Sequence, residues 1–370
     1  MENENALKHK FGTELLQRIA GAVHPVYPAF DHQYFTSLHP RLESLEMKAR
    51  VHFLRDELHG LLPAGYLEAL GIIMKSVSGG TLRDFDFWIY TEFVQTHGLG
   101  HEKASLNALK VLTTHFTSEW AVRPFLRQAP EATLAFLLAC AKDKDERIRR
   151  WASEGSRPRL PWGERLHDFI ANPRLTLPIL EALKFDSQLF VRTSVANHLN
   201  DIAKDHPDYV IGLLKRWQTE GAEVHLTKVD WITKRALRTL IKQGNAKALA
   251  LVGVKPAVAI EVKNFVLSPK NVVLGEKLNL AFDIVSQAKT DQKLVVDYIL
   301  HLVKARNHTA PKVFKFKTVQ LRKGQTVKLQ KSHHIKSITT RAYYPGKQFL
   351  EIQINGKSFG KQDWILRMEL

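Results

Sequence analysis

The spacing of apolar residues changes once along the chain, near residue 255. Upstream, apolar residues recur every three or four positions, as in the segment 106–112, which predicts helices that each bury one stripe. Downstream, they alternate with polar residues, as in the segment 278–284, and a period of two is typical of strands. The change therefore predicts two domains, an all-α domain over residues 1–254 and an all-β domain over residues 257–370.

The helical part contains internal repeats. The segment 130–150 recurs 43 residues later, so that Pro130 aligns with Pro173, and a third copy aligns Val191 with Ile232 at an offset of 41. Helix pairs that recur at about 40–47 residues are the signature of HEAT-like solenoids. Such repeats bury a core only when they stack on one another. The register of the repeats before residue 105 stays open.

Turn-forming pairs interrupt the alternating runs of the last third of the chain. These pairs are Ser268-Pro269, Gly275-Glu276, Lys323-Gly324, Pro345-Gly346 and Asn355-Gly356. About seven short strands in about 110 residues predict an antiparallel sandwich of the immunoglobulin type. The pair His333-His334 is expected in a turn between two of these strands.

Composition limits the kinds of site and the cellular compartment that are expected. The 370 residues include one cysteine, Cys140, so an internal disulfide framework and a zinc site of several cysteines are excluded. Phosphate-loop and dinucleotide fingerprints are absent from the sequence, and no cofactor or metal is expected. The N-terminal residues Met1–Asn5 are acidic and polar, unlike a secretory signal, and the apolar stretch Leu134–Ala141 is too short to span a bilayer. We expect a cytoplasmic protein.

Net charge points to a polyanionic partner, because the chain carries +17 at neutral pH. Residues 1–256 hold 34 basic and 29 acidic side chains, net +5, whereas residues 257–370 hold 20 and 8, net +12. In the latter part, Lys315 and Lys317 alternate with phenylalanines and are expected on one face of a strand. We predict that both contact the phosphate backbone of a nucleic acid; the alternative is that they serve solubility alone.

Two carboxylates at predicted helix ends are unusual. Glu154 falls in the last turn of a helix, where the helix dipole disfavours a negative side chain. From spacing alone, the favoured interpretation is a solvated carboxylate paired with Arg157 or Arg159. Asp201 is the second candidate, and the default interpretation for it is a polar helix end. The preceding His198 is a mediocre helix former that either faces a polar surface or makes a hydrogen bond in the core.

Two motifs in the helical part resemble a known family. Trp-Ala-Ser-Glu-Gly-x-Arg-Pro-Arg-Leu-Pro-Trp spans Trp151–Trp162, and Val-Arg-x-Ser-Val-Ala-Asn-His-Leu-Asn-Asp spans Val191–Asp201. Within a HEAT-like array, both are similar to the motifs of AlkC-type alkylpurine DNA glycosylases, which are bacterial repair enzymes. The resemblance covers the whole chain, since some members carry a C-terminal immunoglobulin-like domain.

The resemblance implies roles for particular residues. It implies that Glu154 and Asp201 act on the sugar as catalytic carboxylates, that Trp162 faces the damaged base or the deoxyribose, and that Glu119, beside Trp120, is a weaker third carboxylate. The arginines expected to hold phosphates of the DNA are Arg157, Arg159 and Arg192.

The resemblance also implies an activity. A monomeric, monofunctional glycosylase would excise 3-methyladenine, and also 3-methylcytosine and 1-methyladenine, from alkylated double-stranded DNA, leaving the damaged base inside the duplex. The alternative is a non-catalytic HEAT-repeat scaffold that binds DNA or protein.

Overall fold

The computed structural model describes residues 7–306, 308–338 and 341–368 of the chain. In this part the helices end at Leu251 and the strands begin at Ile260, which confirms a helical region followed by an all-β region. The acidic segment Met1–Asn5 lies outside the described residues. The α-helices are α1 (Thr13–Val23), α2 (His32–Thr36), α3 (His39–Leu42), α4 (Met47–Gly60), α5 (Tyr66–Val77), α6 (Asp86–His97), α7 (Glu102–Leu112), α8 (Arg123–Gln128), α9 (Pro130–Cys140), α10 (Glu146–Gly155), α11 (His167–Ala171), α12 (Leu177–Leu183), α13 (Leu189–Ile202), α14 (Pro207–Glu220), α15 (Leu226–Ala236), α16 (Arg238–Lys242) and α17 (Ala246–Leu251).

The chain divides into two compact units, one up to Asp205 and one from His206 onward. In the first unit, α10 begins where the Asp145 side chain accepts a hydrogen bond from the Arg147 backbone N–H at 2.8 Å, an N-cap that satisfies one free donor of the first turn. Its stripe of Ile148, Trp151 and Ala152 is buried.

The first two predicted repeat copies correspond to successive helix pairs of the first unit. The pair α9–α10 is followed by α12–α13, and α10 packs against α13 while α9 packs against α12. Each pair thus covers the apolar stripe of the next, as in stacked HEAT-like repeats. This packing brings the C-terminal ends of α10 and α13, and with them the two predicted carboxylates, to the same place in the unit.

The second unit combines α14–α17 with eight strands. The strands are β1 (Ile260–Ser268), β2 (Asn271–Val273), β3 (Lys277–Ser286), β4 (Gln292–Val303), β5 (Thr309–Leu321), β6 (Thr326–His334), β7 (Gly346–Ile354) and β8 (Lys357–Arg367). They form a three-stranded sheet in the order β1-β3-β6 and a five-stranded sheet in the order β2-β8-β7-β4-β5. The core holds Phe282 of β3, Leu300 of β4 and Trp364 of β8.

The observed strands differ from the predicted sandwich in three details. The pairing is not wholly antiparallel, because the short β2 lies parallel to β8. The sequence pattern missed β4, whose residues 296–300 are all buried and therefore show no alternation. The expectation of a turn at His333 is wrong: this residue lies in β6, and its ring is hydrogen-bonded to the Tyr298 hydroxyl at 2.7 Å.

The last helices of the chain belong to the compact unit of the strands. The Lys293 ammonium donates to the Val252 carbonyl at 2.7 Å, and the Asn355 side chain donates to the Lys255 carbonyl at 2.8 Å. Gly244 and Gly356, both at positive φ, approach so closely that a Cβ on Gly244 would lie 2.8 Å from the Gly356 Cα. The change of secondary structure near residue 255 is thus not where the packing divides, and the predicted catalytic and DNA-contacting roles of residues 1–254 and 257–370 stay predictions.

Across the described residues, we find no helix with the length and apolar character that crossing a membrane requires.

Candidate active site

The two predicted catalytic carboxylates are joined by one arginine. Arg157 Nη1 donates to Glu154 Oε1 at 2.5 Å, and Arg157 Nε and Nη2 both lie 2.8 Å from Asp201 Oδ2. All three side chains are buried, with at most 7% of each exposed. Buried charges need this kind of pairing, since leaving water costs each ion several kcal/mol. The structure thus brings Glu154 and Asp201 together as buried, paired groups and not as solvated ones.

Arg157 itself does not fit its predicted role. It was expected to hold a DNA phosphate, yet it is 6% exposed and its guanidinium is occupied by the two carboxylates. Burial lowers the pKa of Arg157, but the charges of Glu154 and Asp201 outweigh burial and raise it above its usual value. Arg157 is therefore a fixed positive charge that holds the carboxylates in position.

Glu119, the third predicted carboxylate, joins the same network through Arg150. Arg150 Nη1 lies 2.5 Å from Glu119 Oε2, and its Nη2 lies 3.6 Å from Glu154 Oε1. The hydroxyl of Thr117 donates to the same Glu119 oxygen at 2.6 Å. On the opposite side, Lys204 Nζ lies 3.2 Å from Asp201 Oδ1. Glu119, Glu154 and Asp201 thus form one chain of carboxylates separated by cations.

One oxygen of the network stays available. Glu154 uses Oε1 for both of its arginine contacts, and among the described residues its Oε2 has no hydrogen-bond partner. The contacts of Oε1 fix the position of the carboxylate, so the unpartnered Oε2 can accept a hydrogen bond from water or face a developing positive charge.

Arg123 fastens the loop that follows α10, a role that the sequence did not suggest. Its guanidinium donates to the carbonyls of Gly155 at 2.9 Å, Arg157 at 2.8 Å and Glu164 at 2.9 Å. Burial lowers the pKa of Arg123 to about 10, so it still carries its charge at neutral pH. The positive charge at the C-terminal end of α10 also complements the helix dipole there.

His198 makes hydrogen bonds in the core and does not face a polar surface, which were the two alternatives left open by the sequence. Its ring is fully buried and hydrogen-bonded to the Ser153 carbonyl at 2.9 Å and to the Thr176 hydroxyl at 3.1 Å. Burial lowers the pKa of His198 to about 3, so the ring is neutral. It is a core residue that ties α13 to α10 behind the carboxylates.

Trp162 presents an aromatic ring at the surface of the same loop. Its side chain is 58% exposed, and its backbone adopts a φ of +63°, a left-handed conformation that is costly outside glycine. The Lys48 ammonium donates to its carbonyl at 2.7 Å. The ring stacks on Trp120, centroids 6.3 Å apart, and Trp120 stacks on the buried Trp88 at 5.0 Å. Two stacked tryptophans, Trp120 and Trp88, therefore support the exposed ring of Trp162, and a cavity of about 350 Å³ opens beside it.

Two other predicted DNA contacts are engaged within the protein. Arg159 forms a two-pronged ion pair with Asp205, with nitrogen–oxygen distances of 2.9–3.2 Å. Arg192 donates to the carbonyls of Asp186 and Ser187 at 2.7 and 2.8 Å and so closes the start of α13. Both arginines are thus engaged within the protein, and a contact of either with DNA stays a prediction.

The strand that carries Lys315 and Lys317 is irregular. A bulge at Phe316 sets Lys315 across from Asp297 and Lys317 across from Val296. Adjacent residues of a strand point to opposite faces, so the prediction that the two lysines share a face is wrong. Both lysines are exposed, but they face different surroundings.

The described residues show no group of three or more His, Cys, Asp or Glu side chains arranged to hold a metal ion. Cys140 is buried, and burial raises the pKa of its thiol to about 11, so it is not a nucleophile at neutral pH.

Together these features define a class: a HEAT-like helical-repeat protein with a carboxylate centre and a C-terminal immunoglobulin-like domain. The family model described as "Uncharacterised protein YhaZ, C-terminal Ig-like domain" matches residues 261–368. The uncharacterized protein YhaZ of Bacillus subtilis (strain 168) is 39% identical over 354 residues, covering 95% of this chain and 96% of that protein.

A solved structure extends the similarity to the whole chain. It is the alkylpurine DNA glycosylase AlkC of Pseudomonas fluorescens bound to DNA containing an abasic site analog, 39% identical, with a TM-score of 0.91 and coverage of 98% of this chain and 99% of that one. This chain belongs to the AlkC family of alkylpurine DNA glycosylases, which confirms the family and the enzyme class predicted from the sequence.

Proposed function

We propose that this glycosylase hydrolyses the N-glycosidic bond of cationic alkylated bases in duplex DNA, chiefly 3-methyladenine and also 3-methylcytosine and 1-methyladenine. The observation that carries the proposal is the carboxylate pair of Glu154 and Asp201, buried and locked by Arg157 at 2.5–2.8 Å. The AlkC structure, bound to DNA containing an abasic site analog, supports DNA as the partner.

The chemistry of these lesions suits a site built from carboxylates. Methylation leaves a positive charge on the base, and breaking the bond from the base nitrogen to the anomeric carbon returns both bonding electrons to the base, which departs neutral. The sugar then develops oxocarbenium character, as in glycoside hydrolysis. A nearby carboxylate stabilises that charge and can take a proton from the attacking water, whereas little acid catalysis is needed for the leaving group.

We assign these two tasks to Glu154 and Asp201 jointly. The unpartnered Oε2 of Glu154 is suited to orient or deprotonate water, while Asp201 is held on both oxygens by Arg157 and Lys204 and acts through its charge. Glu119 reaches the pair only through Arg150 and is assigned a supporting role.

The proposal includes contact with the sugar from outside the duplex, without rotation of the base into a pocket. The exposed, rigidly supported ring of Trp162 favours this arrangement, because a flat aromatic face can pack against deoxyribose or a cationic base. An enzyme that works in this way accommodates a bulky N3-benzyladenine nearly as well as N3-methyladenine. A much slower release of the benzyl adduct would instead indicate a base-binding pocket.

Strand cleavage is not part of the proposed activity. Such a lyase step needs a neutral amine to form a Schiff base with the abasic sugar, and Lys204, the lysine bound to the site, has its ammonium paired with Asp201. We therefore expect intact abasic product, with no covalent adduct trapped by borohydride at Lys204.

The test is release of methylated bases from treated duplex DNA, identified by mass spectrometry, with the wild type and the variants Glu154→Gln and Asp201→Asn. Glu131→Gln, an exposed carboxylate of α9, is the matched control. We expect release by the wild type and the control and a loss of about 10²-fold or more in each site variant. Full activity of both variants would refute the site assignment; DNA binding with no release by the wild type would support the scaffold alternative.

A further inference from the structure

The second compact unit contains a cavity of about 360 Å³ that the proposed chemistry does not use. Residues of α15 and α16 line one side, and residues of β4 and β5 line the other. Its lining holds five cationic side chains, those of Lys234, Arg238, Lys242, Lys293 and Lys315, and a single carboxylate, that of Asp297.

Three lysines of this cavity take part in no ion pair among the described residues. Ion pairs of the described part of this unit involve other lysines, such as Lys247 with Asp208, and none of Lys234, Lys242 or Lys315 takes part in one. Like charges gathered in one concave site repel each other, and they raise the local concentration of an anion instead.

The walls of the cavity strengthen this effect. Ile241, Val254 and Val295 contribute apolar surface between the charged groups. Charges beside such walls are less well screened than charges on an open surface, so their attraction for an anion is larger.

We propose that this cavity is a phosphate-binding site to which helices and strands of the second unit both contribute. A backbone phosphodiester of duplex DNA and free inorganic phosphate share the chemistry that the lysines recognise. The DNA form of the proposal rests on the proposed function, whereas binding of free phosphate does not depend on it.

Substitution of Asp297 should change anion binding in a defined direction. It is 4% exposed and lies across from Lys315 in the sheet. Burial raises the pKa of Asp297 although Lys242, Lys315 and Lys331 lie near enough to oppose that shift. Because Asp297 is the acid in a cavity that would receive an anion, removing its charge should strengthen anion binding, whereas removing a lysine should weaken it.

The experiment uses the full chain and an undamaged 24-base-pair duplex, with binding measured by fluorescence anisotropy at several salt concentrations. The variants are Lys242→Gln with Lys315→Gln, and Asp297→Asn; Lys328→Gln, an exposed lysine outside the cavity, is the matched control. Circular dichroism and thermal melting confirm that each variant is folded. A second arm titrates inorganic phosphate by calorimetry in the absence of DNA.

If DNA phosphates occupy the cavity, the double lysine variant weakens duplex binding roughly tenfold and reduces the salt slope by about 2, since each phosphate contact contributes about 0.9. Asp297→Asn then binds DNA more tightly, and Lys328→Gln shows a smaller loss than the double variant. If free phosphate is the ligand, calorimetry detects binding that the double variant loses, while duplex binding is unchanged. Equal binding of both probes by the double variant and the wild type would overturn the proposal. Weaker binding of the preferred probe by folded Asp297→Asn would also overturn it, because it would show that the residue acts through structure and not through charge.

Discussion

The arginine between the two carboxylates offers a prediction whose size follows from the structure. In Arg157→Met, Glu154 and Asp201 lose their shared partner while their side chains stay at most 7% exposed. Removing one partner of a buried ion pair costs about 3–5 kcal/mol, because the remaining charge is left without compensation. Lys204 still pairs with Asp201 and Arg150 still lies 3.6 Å from Glu154, so we expect a loss inside this range, about 4 kcal/mol.

Thermal unfolding is a suitable assay. For a unit of this size a loss of about 4 kcal/mol lowers the melting temperature by roughly 10 °C. Arg159→Met is the matched control on the same loop; its partner Asp205 is one-third exposed, and surface pairs contribute about 1 kcal/mol or less. Arg157→Met should lose base release even at saturating DNA, whereas Arg159→Met, which removes one predicted phosphate contact, should weaken DNA binding and retain release at saturating DNA.

Charge repulsion can be separated from lost packing by adding Glu154→Gln and Asp201→Asn to Arg157→Met. Neutral side chains of the same size remove the stranded charges, so the triple variant should regain at least half of the lost stability while staying inactive. A cost below 1 kcal/mol for Arg157→Met, or a triple variant no more stable than the single one, would refute the view that Arg157 acts by balancing the buried carboxylates.

Three further predictions concern residues around the site. Trp162→Ala should lower kcat/KM about 2- to 30-fold, the equivalent of 0.5–2 kcal/mol of cation–π contact, with little change in melting temperature; an unchanged rate would remove Trp162 from the site. Arg123→Lys keeps the charge but cannot reach three carbonyls, so kcat should fall more than KM changes and the loop should become sensitive to proteolysis; wild-type kinetics would contradict its positioning role. His198 has a pKa of about 3 in the folded state, below its unfolded value of about 6.5, so the unfolded chain binds the extra proton and stability falls as pH drops through 6.5. Lowering the pH to 5.5 should cost about 1.4 kcal/mol from this residue, and an NMR titration that places its pKa above 6 would contradict the burial argument.

The order of elements and the place of the carboxylates could be predicted from the sequence because both follow local patterns. Hydrophobic periods distinguish helices from strands. The repeat offset of 43 aligns Glu154 with Asn197, which lies one turn before Asp201. Their catalytic interpretation came from the resemblance, since spacing alone favoured surface carboxylates.

Other features depend on contacts that local patterns do not encode. The phosphate role expected of Arg157 came from the resemblance. Its burial follows from the packing of α13 against α10, which brings Asp201 within 2.8 Å. The bulge at Phe316 is set by the pairing of β5 with β4, so the regular alternation of Lys315 and Lys317 could not reveal it. Arg123 lies 32 residues from the Gly155 carbonyl that it binds, and no motif marks it.

Base release from methylated duplex DNA tests the central claim most directly. Mass spectrometry of the supernatant should detect free 3-methyladenine with the wild type and with Glu131→Gln, and none above background with Glu154→Gln combined with Asp201→Asn at unchanged DNA affinity. Release at the wild-type rate by the double variant would contradict the claim that this carboxylate pair carries out the hydrolysis.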